Sequence, residues 1–304
     1  MMRLAVHGEN ADWPAVAARL RGGSIACTLE TADTPLPSET SYDALLLLAP
    51  NLSHTKTIEQ ALTQGKHVLL AGPTPLSSAV LEAFSKTSQQ VRKNQATGQF
   101  SIVNPDHFLP SRQLLHQQLI AGKLGQPGLI RMHRWEANAT PLNATSPSLP
   151  TTLVLDLELA TWILGALPNV VYATEAPQSG SSSKGRTIQV HLGFEGGPMA
   201  LIGYSSALPS GDDYRTLSVM GSAGAAYADD HQNMQLLYRG HHPQAIRAEE
   251  KIRPLVNLVQ DFVDALQTSR DLSSGVANWL RALTIAQAVE HSLASRQAIS
   301  PEFS

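Results

Sequence analysis

YDALLLLAPNLSHTKTIEQALTQGKHVLLAGP, residues Tyr42–Pro73, decides the fold. The stretch reads as strand, loop, helix, strand. Ala44–Leu48 is a short continuous apolar run, the pattern of a strand buried on both faces of a parallel sheet. Pro50-Asn51 ends it. Ile58, Ala61 and Leu62 then recur at helical spacing, and Gly65 stops the helix as a C′ glycine. His67–Leu70 is a second buried strand, closed by Gly72-Pro73. So compact a unit is a βαβ crossover, which predicts a parallel sheet and a right-handed connection.

The flanking segments extend that sheet. Arg3–His7 is a short strand, followed by Gly8-Glu9-Asn10-Ala11-Asp12-Trp13 and a helix over Pro14–Leu20. Pro14 suits a first helical position and Asp12 a cap. This is the place of a dinucleotide-binding turn. A G-x-G-x-x-G fingerprint needs its second glycine for backbone approach to the pyrophosphate and its third for close helix–strand packing. Asn10 and Trp13 stand at those positions. Asn tolerates unusual backbone angles, so the turn itself can persist, whereas a bulky Trp13 opposes close passage of helix and strand. The competing reading is an ordinary βα turn that binds nothing. Ser24–Leu29 is the second strand. Glu30 at its end is the candidate ribose-binding carboxylate, with Asp33 a poorer one. Thr31–Ser41 has no periodicity and reads as a loop. Ser77–Lys93 is a helix with Val80, Leu81, Phe84 and Val91 on its apolar side, and Phe100–Val103 is the next strand.

Beyond Asn104 the pattern changes. Ser111–Ala121 is a helix, Leu129–Ala137 a strand, and Asn138–Pro150 a loop rich in Asn, Thr, Ser and Pro. Thr151–Leu164 is a helix that ends at Gly165. Leu155, Leu159 and Trp162 form an apolar stripe along it. Asp156 and Glu158 near its start suit a structural role favoured by the helix dipole. Strands then follow one another: Val170–Thr174, Thr187–Phe194 with clean alternation, Met199–Ser205 after a Gly196-Gly197 turn, Tyr214–Met220, Gly224–Ala228 and Met234–Tyr238. A run of hairpins predicts a mainly antiparallel sheet with one face on helices. Leu255–Gln267 and Asn278–Ala294 are closing amphipathic helices. The expected architecture is α/β, with a Rossmann-like parallel sheet over residues 1–103 and an α+β domain with an open, mainly antiparallel sheet over 104–304.

Composition excludes several classes. The chain has 304 residues, 42% hydrophobic and 15% charged, with a formal charge of −3, which describes a soluble globular protein large enough for two domains. No basic run supplies phosphate contacts, so no nucleic-acid partner is expected. No apolar stretch approaches the ~20 residues of a membrane span. The start of the chain leads into a strand without the shape of a signal peptide, and the cytoplasm is the expected compartment. The single cysteine, Cys27, forms neither an intrachain disulfide framework nor a cysteine-based zinc site and suits a buried packing role. Asp229, Asp230, His231, His241 and His242 are metal-ligand residue types, but their spacing matches no compact site, so no metal is expected.

Several of these segments together resemble the Gfo/Idh/MocA family of nicotinamide-dependent sugar and polyol oxidoreductases. They are Ala49-Pro50 with Asn51 and His54, the Gly65-Lys66-His67-Val68-Leu69 strand entry, the Gly122-x-Leu124-Gly125-x-Pro127 turn, and Asp156-x-Glu158 with Trp162 and Gly165. Phe108 and Pro110 match the family's R-F-x-P segment, with Asp106 and His107 in place of its basic pair. Val219-x-Gly221-x-x-Gly224 and the Arg281–Ala288 helix are similar to later family segments. The resemblance implies NAD or NADP as cofactor, a small-molecule ligand between the domains, and a homo-oligomer formed through the second sheet. It implies cofactor contacts at Gly8, Glu9, Asn10, Glu30, Pro50, Asn51, His54, Gly72 and Pro73.

The same resemblance marks departures. The family's Glu-Lys-Pro is Ala71-Gly72-Pro73 here, so its lysine is a glycine. The positions of its helical aspartate and histidine hold Thr151 and Leu155, neither of which shuttles a proton. Two readings remain. In one, the chain is a divergent oxidoreductase whose proton comes from His107, Asp106 or water, with Asp156 as a further carboxylate candidate. In the other, it is a catalytically silent member that binds, regulates or partners an active homologue, with or without a cofactor.

Overall fold

A computed structural model describes residues 2–8, 13–20, 25–30, 42–93, 98–137, 149–176, 185–209, 213–229, 234–238, 244–247 and 253–303. The chain forms two compact units, Met1–Phe108 with Glu250–Leu280, and Leu109–Glu249 with Arg281–Ser304.

The first unit is built on five parallel strands: β1 Met2–His7, β2 Ile25–Glu30, β3 Ala44–Leu48, β4 His67–Ala71 and β5 Phe100–Val103. Their order is β2-β1-β3-β4-β5. The helices are α1 Trp13–Leu20, α2 Thr55–Thr63 and α3 Ser78–Lys93. The strand–helix–strand reading of residues 42–73 is borne out, down to Gly65 at φ 74° just past the C-cap of α2. Leu45, Leu46 and Leu47 are fully buried, as a strand covered on both faces requires. Trp13 is also buried, in a core that holds Leu4, Val6 and Val16. At the place of the fingerprint's third glycine the chain therefore has a large packing residue.

The second unit carries an eight-stranded sheet. Before it runs α4 Pro110–Ile120. Its strands are β6 Pro127–Trp135, β7 Pro168–Glu175, β8 Thr187–Phe194, β9 Met199–Ser205, β10 Tyr214–Gly221, β11 Gly224–Asp229, β12 Met234–Tyr238 and β13 Gln244–Arg247. The order is β13-β12-β11-β10-β6-β9-β8-β7, antiparallel throughout except for the β6–β9 pair. Helix α5, Thr151–Leu164, packs on β6 and β9. Alternation sets two faces. Ile130, Met132, Val190, Ile202 and Leu217 are buried, while Trp135, Tyr172, Met199 and Met220 stand exposed on the other face.

Two features differ from the sequence expectation. First, β13 is four residues long and exists by pairing with β12; its pattern alone does not mark a strand. Second, each compact unit is made of two stretches of chain rather than one. The first unit runs on to Phe108, and α6, Arg253–Gln267, returns to it. The reason is physical: Leu258, Val259, Phe262 and Val263 of α6 are buried against Leu4, Val6, Trp13 and Val16. Helix α7, Ser273–Ser295, starts in the first unit and ends in the second. Among the described residues no helix is long and apolar enough to cross a membrane, and no group of three or more His, Cys, Asp or Glu side chains is arranged to hold a metal ion.

Candidate functional site

The strand order of the first unit reverses direction at β1: the chain steps outward to β2, then returns to β3 on the other side. Open parallel sheets of this order bind ligands at the carboxyl ends of the two strands that flank the reversal. Gly8 follows β1 there, and Ala49–His54 follows β3. Gly8 has φ 138°, and a Cβ on it would lie 2.7 Å from Leu48 O. Only glycine takes that position without strain, and the backbone passes close to the end of β3. Ala49, with φ 48°, turns the chain away, and its N–H donates to Ala71 O at 2.8 Å. Gly72, φ 110°, follows β4 directly beside Ala49. The carboxyl edge thus gathers Gly8, Ala49, Pro50 and Gly72 in neighbouring strand ends.

Asn51 and His54 are held in a short 3-10 turn, Leu52–His54. The Asn51 side chain accepts from Ser53 N at 3.0 Å, and His54 Nδ1 accepts from Asn51 N at 3.0 Å. This reciprocal cap fixes the imidazole with its other nitrogen protonated. Its ring meets that of His7 edge to face, centroids 4.8 Å apart. The His54 pKa is lowered, by burial first and by His7 second. His7 was not singled out by sequence reasoning; the available signal was a histidine closing an otherwise apolar strand.

The remaining candidates divide between the units. β1 and β2 pair in register with His7 opposite Glu30, so Glu30 ends its strand level with the Gly8 turn. Asp106 and His107 lie in a second 3-10 turn, Pro105–Phe108, beyond β5 on the same carboxyl edge. Asp106 N donates to Asn104 Oδ1 at 3.0 Å, and Asp106 is buried. Pro73 follows Gly72. Glu9, Asn10, Asp12, Asp33, Asp230, His231, His241 and His242 lie outside the described residues.

Asp156 belongs to the second unit and has a different setting. Its two oxygens accept from Arg134 Nε and Nη2, each at 2.8 Å, and the side chains are 6% and 3% exposed. Alternation along β6 places Arg134 on the helix-covered face with Ile130 and Met132, where a cation needs a counter-charge. The carboxylate of Asp156 supplies it. Leu155 and Leu159 are buried, and Trp162 stacks on His116 of α4 with centroids 3.8 Å apart.

No family model matches the chain. The chain is similar to an inositol 2-dehydrogenase of Rhizobium meliloti (strain 1021), 22% identical over 310 residues that cover 95% of this chain and 90% of the relative. A crystal structure of a myo-inositol dehydrogenase from Corynebacterium glutamicum ATCC 13032 superposes with a TM-score of 0.74 at 15% identity, covering 100% of both chains. This chain has the fold of the Gfo/Idh/MocA-type dehydrogenases. An oxidoreductase from Agrobacterium radiobacter in complex with NAD+, L-tartaric acid and magnesium has the same fold, with a TM-score of 0.77 at 13% identity over 98% of each chain. The resemblance read from Ala49 to Leu70 and from the Gly122–Pro127 turn is thereby borne out in the architecture. In that turn Gly125 has φ 69°, Gln126 N donates to Ser222 Oγ at 3.0 Å, and Ala223 N donates to Leu124 O at 3.0 Å, so it locks onto the β10–β11 hairpin.

Proposed function

We propose that the chain is an NAD(P)-dependent oxidoreductase acting on a sugar- or polyol-like molecule, with its dinucleotide on the carboxyl edge of the five-stranded sheet. The observation that carries this reading is the reversal point between β1 and β3, where Gly8 brings backbone into reach of a ligand and the Asn51–His54 turn stands beside it. Gly8, Glu9 and Asn10 form the pyrophosphate turn, and Glu30 binds the ribose. Pro50, Asn51, His54, Gly72 and Pro73 line the rest of the edge. The cofactor accepts or supplies hydride; the protein holds and orients it. His107 and Asp106, on the turn beyond β5, are the proton-handling candidates of the first unit. Asp156 serves stability through Arg134. The relatives' names favour a polyol, inositol among them.

A second reading rests on Gly72, Thr151 and Leu155, which bring no ionisable group to the positions where the family has lysine, aspartate and histidine. It makes the chain a silent binding or regulatory member. Turnover decides between the two. The purified chain with NAD+ or NADP+ and a panel of inositols, hexoses and alditols is expected to produce reduced dinucleotide. Dinucleotide binding without turnover on any panel member supports the silent reading. The exposed sheet face, which carries Trp135, Tyr172, Met199 and Met220, suits a second copy of the chain.

A further inference from the structure

A set of hydrogen-bonding side chains lies beside the first turn of α5, on the helix-covered face of the large sheet. Glu136 directly follows β6, and its backbone is tied at both groups: its N–H donates to Ser205 O at 2.8 Å, and its carbonyl accepts from Leu208 N at 3.4 Å. Its Oε1 accepts from the hydroxyl of Thr152 and, at 3.1 Å, from that of Tyr204. Tyr204 is fully buried, and its pKa is raised well above the ordinary phenol value, by burial first and then by the charge of Glu136. It therefore stays protonated and remains a donor at any working pH.

The other oxygen is the informative one. Glu136 Oε2 accepts no hydrogen bond, and Glu136 joins no ion pair, among the described residues. The charged groups around the cluster are already engaged: Arg186 donates from Nε and Nη2 to Glu175 at 2.7 and 2.9 Å, and Glu290 accepts from Leu149 N at 3.1 Å. Glu136 itself is only half-buried. A carboxylate clamped through one oxygen, with no ion pair on the other among the described residues, is set to accept a hydrogen from a ligand. The clamp includes Thr152, the neighbour of Thr151, on the helix turn where the resemblance places the family's proton-transfer residues.

We propose that Glu136 receives a hydroxyl of the substrate in this chain, with Tyr204 and Thr152 as its positioning residues. The proposal rests on the polyol-oxidoreductase reading above. In the bound state the substrate O–H donates to Oε2. Oε2 is thereby placed to take the proton of that hydroxyl.

The test is binding of myo-inositol, D-glucose and xylitol to the full chain by calorimetry, with dinucleotide titrated separately. At least one sugar is expected to bind. Glu136→Gln is expected to weaken it about tenfold or more, as loss of a charge-assisted hydrogen bond implies. Tyr204→Phe keeps the buried ring and removes only the hydroxyl; it is expected to weaken the same sugar roughly threefold to tenfold, with the melting temperature reporting folding. A structural carboxylate that merely favours the N-terminus of α5 would change melting and leave sugar affinity intact. Wild-type affinity in a folded Glu136→Gln or Tyr204→Phe chain overturns the proposal. So does failure of all three sugars to bind the wild type. If the dinucleotide binds while the sugars do not, this inference alone fails; if neither binds, the oxidoreductase reading fails with it.

Discussion

Asp156→Asn separates a structural carboxylate from a functional one. The native group meets Arg134 through two parallel hydrogen bonds of 2.8 Å, with both side chains almost wholly removed from water. The amide keeps the shape and one acceptor, but removes the negative charge that meets the buried guanidinium in this pair. Arg215 is the cross-strand partner of Arg134, so a like charge stands next in register. Removing one member of a buried pair costs about 3–5 kcal/mol. The retained acceptor puts this substitution near the lower end, and about 3 kcal/mol corresponds to a fall of roughly 6–12 °C in melting temperature for a unit of this size. The assay is urea and thermal unfolding followed by circular dichroism and by tryptophan fluorescence, since two units need not unfold together. The double variant Arg134→Met/Asp156→Leu is expected to recover most of the loss, because an apolar replacement removes both desolvation costs. Dinucleotide affinity should stay at the wild-type value in Asp156→Asn. A stability change under about 1 kcal/mol, far below the buried-pair range, would refute the reasoning. Loss of ligand binding at unchanged stability would make Asp156 a functional residue.

Other expectations follow from the same geometry. Gly8→Ala places a Cβ 2.7 Å from Leu48 O at a φ of 138°, which should cost about 1–3 kcal/mol from backbone strain alone and weaken any dinucleotide; an alanine variant as stable as wild type contradicts the model of that turn. His67, His54 and His133 all have pKa values below the ordinary imidazole value, burial being the largest cause in each. Unfolded imidazoles protonate near pH ~6.5, whereas these do so only at lower pH. The unfolded state therefore binds more protons in that window, and stability is fully present above it and falls as pH drops through the folded values. Melting temperature should decline on acidification below that point, and less steeply in His67→Gln, whose amide oxygen can still accept from Gln99 N as Nδ1 does at 3.2 Å. A melting temperature that rises on mild acidification excludes this. Trp135→Glu with Met220→Lys, on the exposed sheet face, should convert an oligomer to a monomer in sedimentation; an unchanged oligomer places the interface elsewhere.

The parallel half was legible because its signals are local. Ala44–Leu48, Gly65 and His67–Leu70 each carry their meaning within a few residues, and Phe100–Val103, Thr151–Leu164 and Thr187–Phe194 have the same bounds in sequence and structure. What was not legible depends on distant partners. The apolar side of α6 is plain in the sequence, but the core it joins, with Leu4 and Trp13, is a long-range choice. Gln244–Arg247 is a strand only because β12 lies beside it. The site behaves likewise. Gly8, Asn51 and His54 were readable from a strand end and a turn. The His7–His54 contact, the Arg134–Asp156 pair and the Glu136–Tyr204–Thr152 cluster join residues up to 68 positions apart in sequence. No spacing rule encodes those meetings; only the folded register of β1 with β3, of β6 with β9 and of α5 on the sheet creates them.

The most direct test of the central claim is calorimetric titration of the purified chain with NAD+, NADH, NADP+ and NADPH, alongside Gly8→Ala. The account predicts micromolar binding of at least one of the four and marked weakening in the variant. No binding of any of them up to millimolar concentration would contradict a dinucleotide site at the β1–β3 reversal.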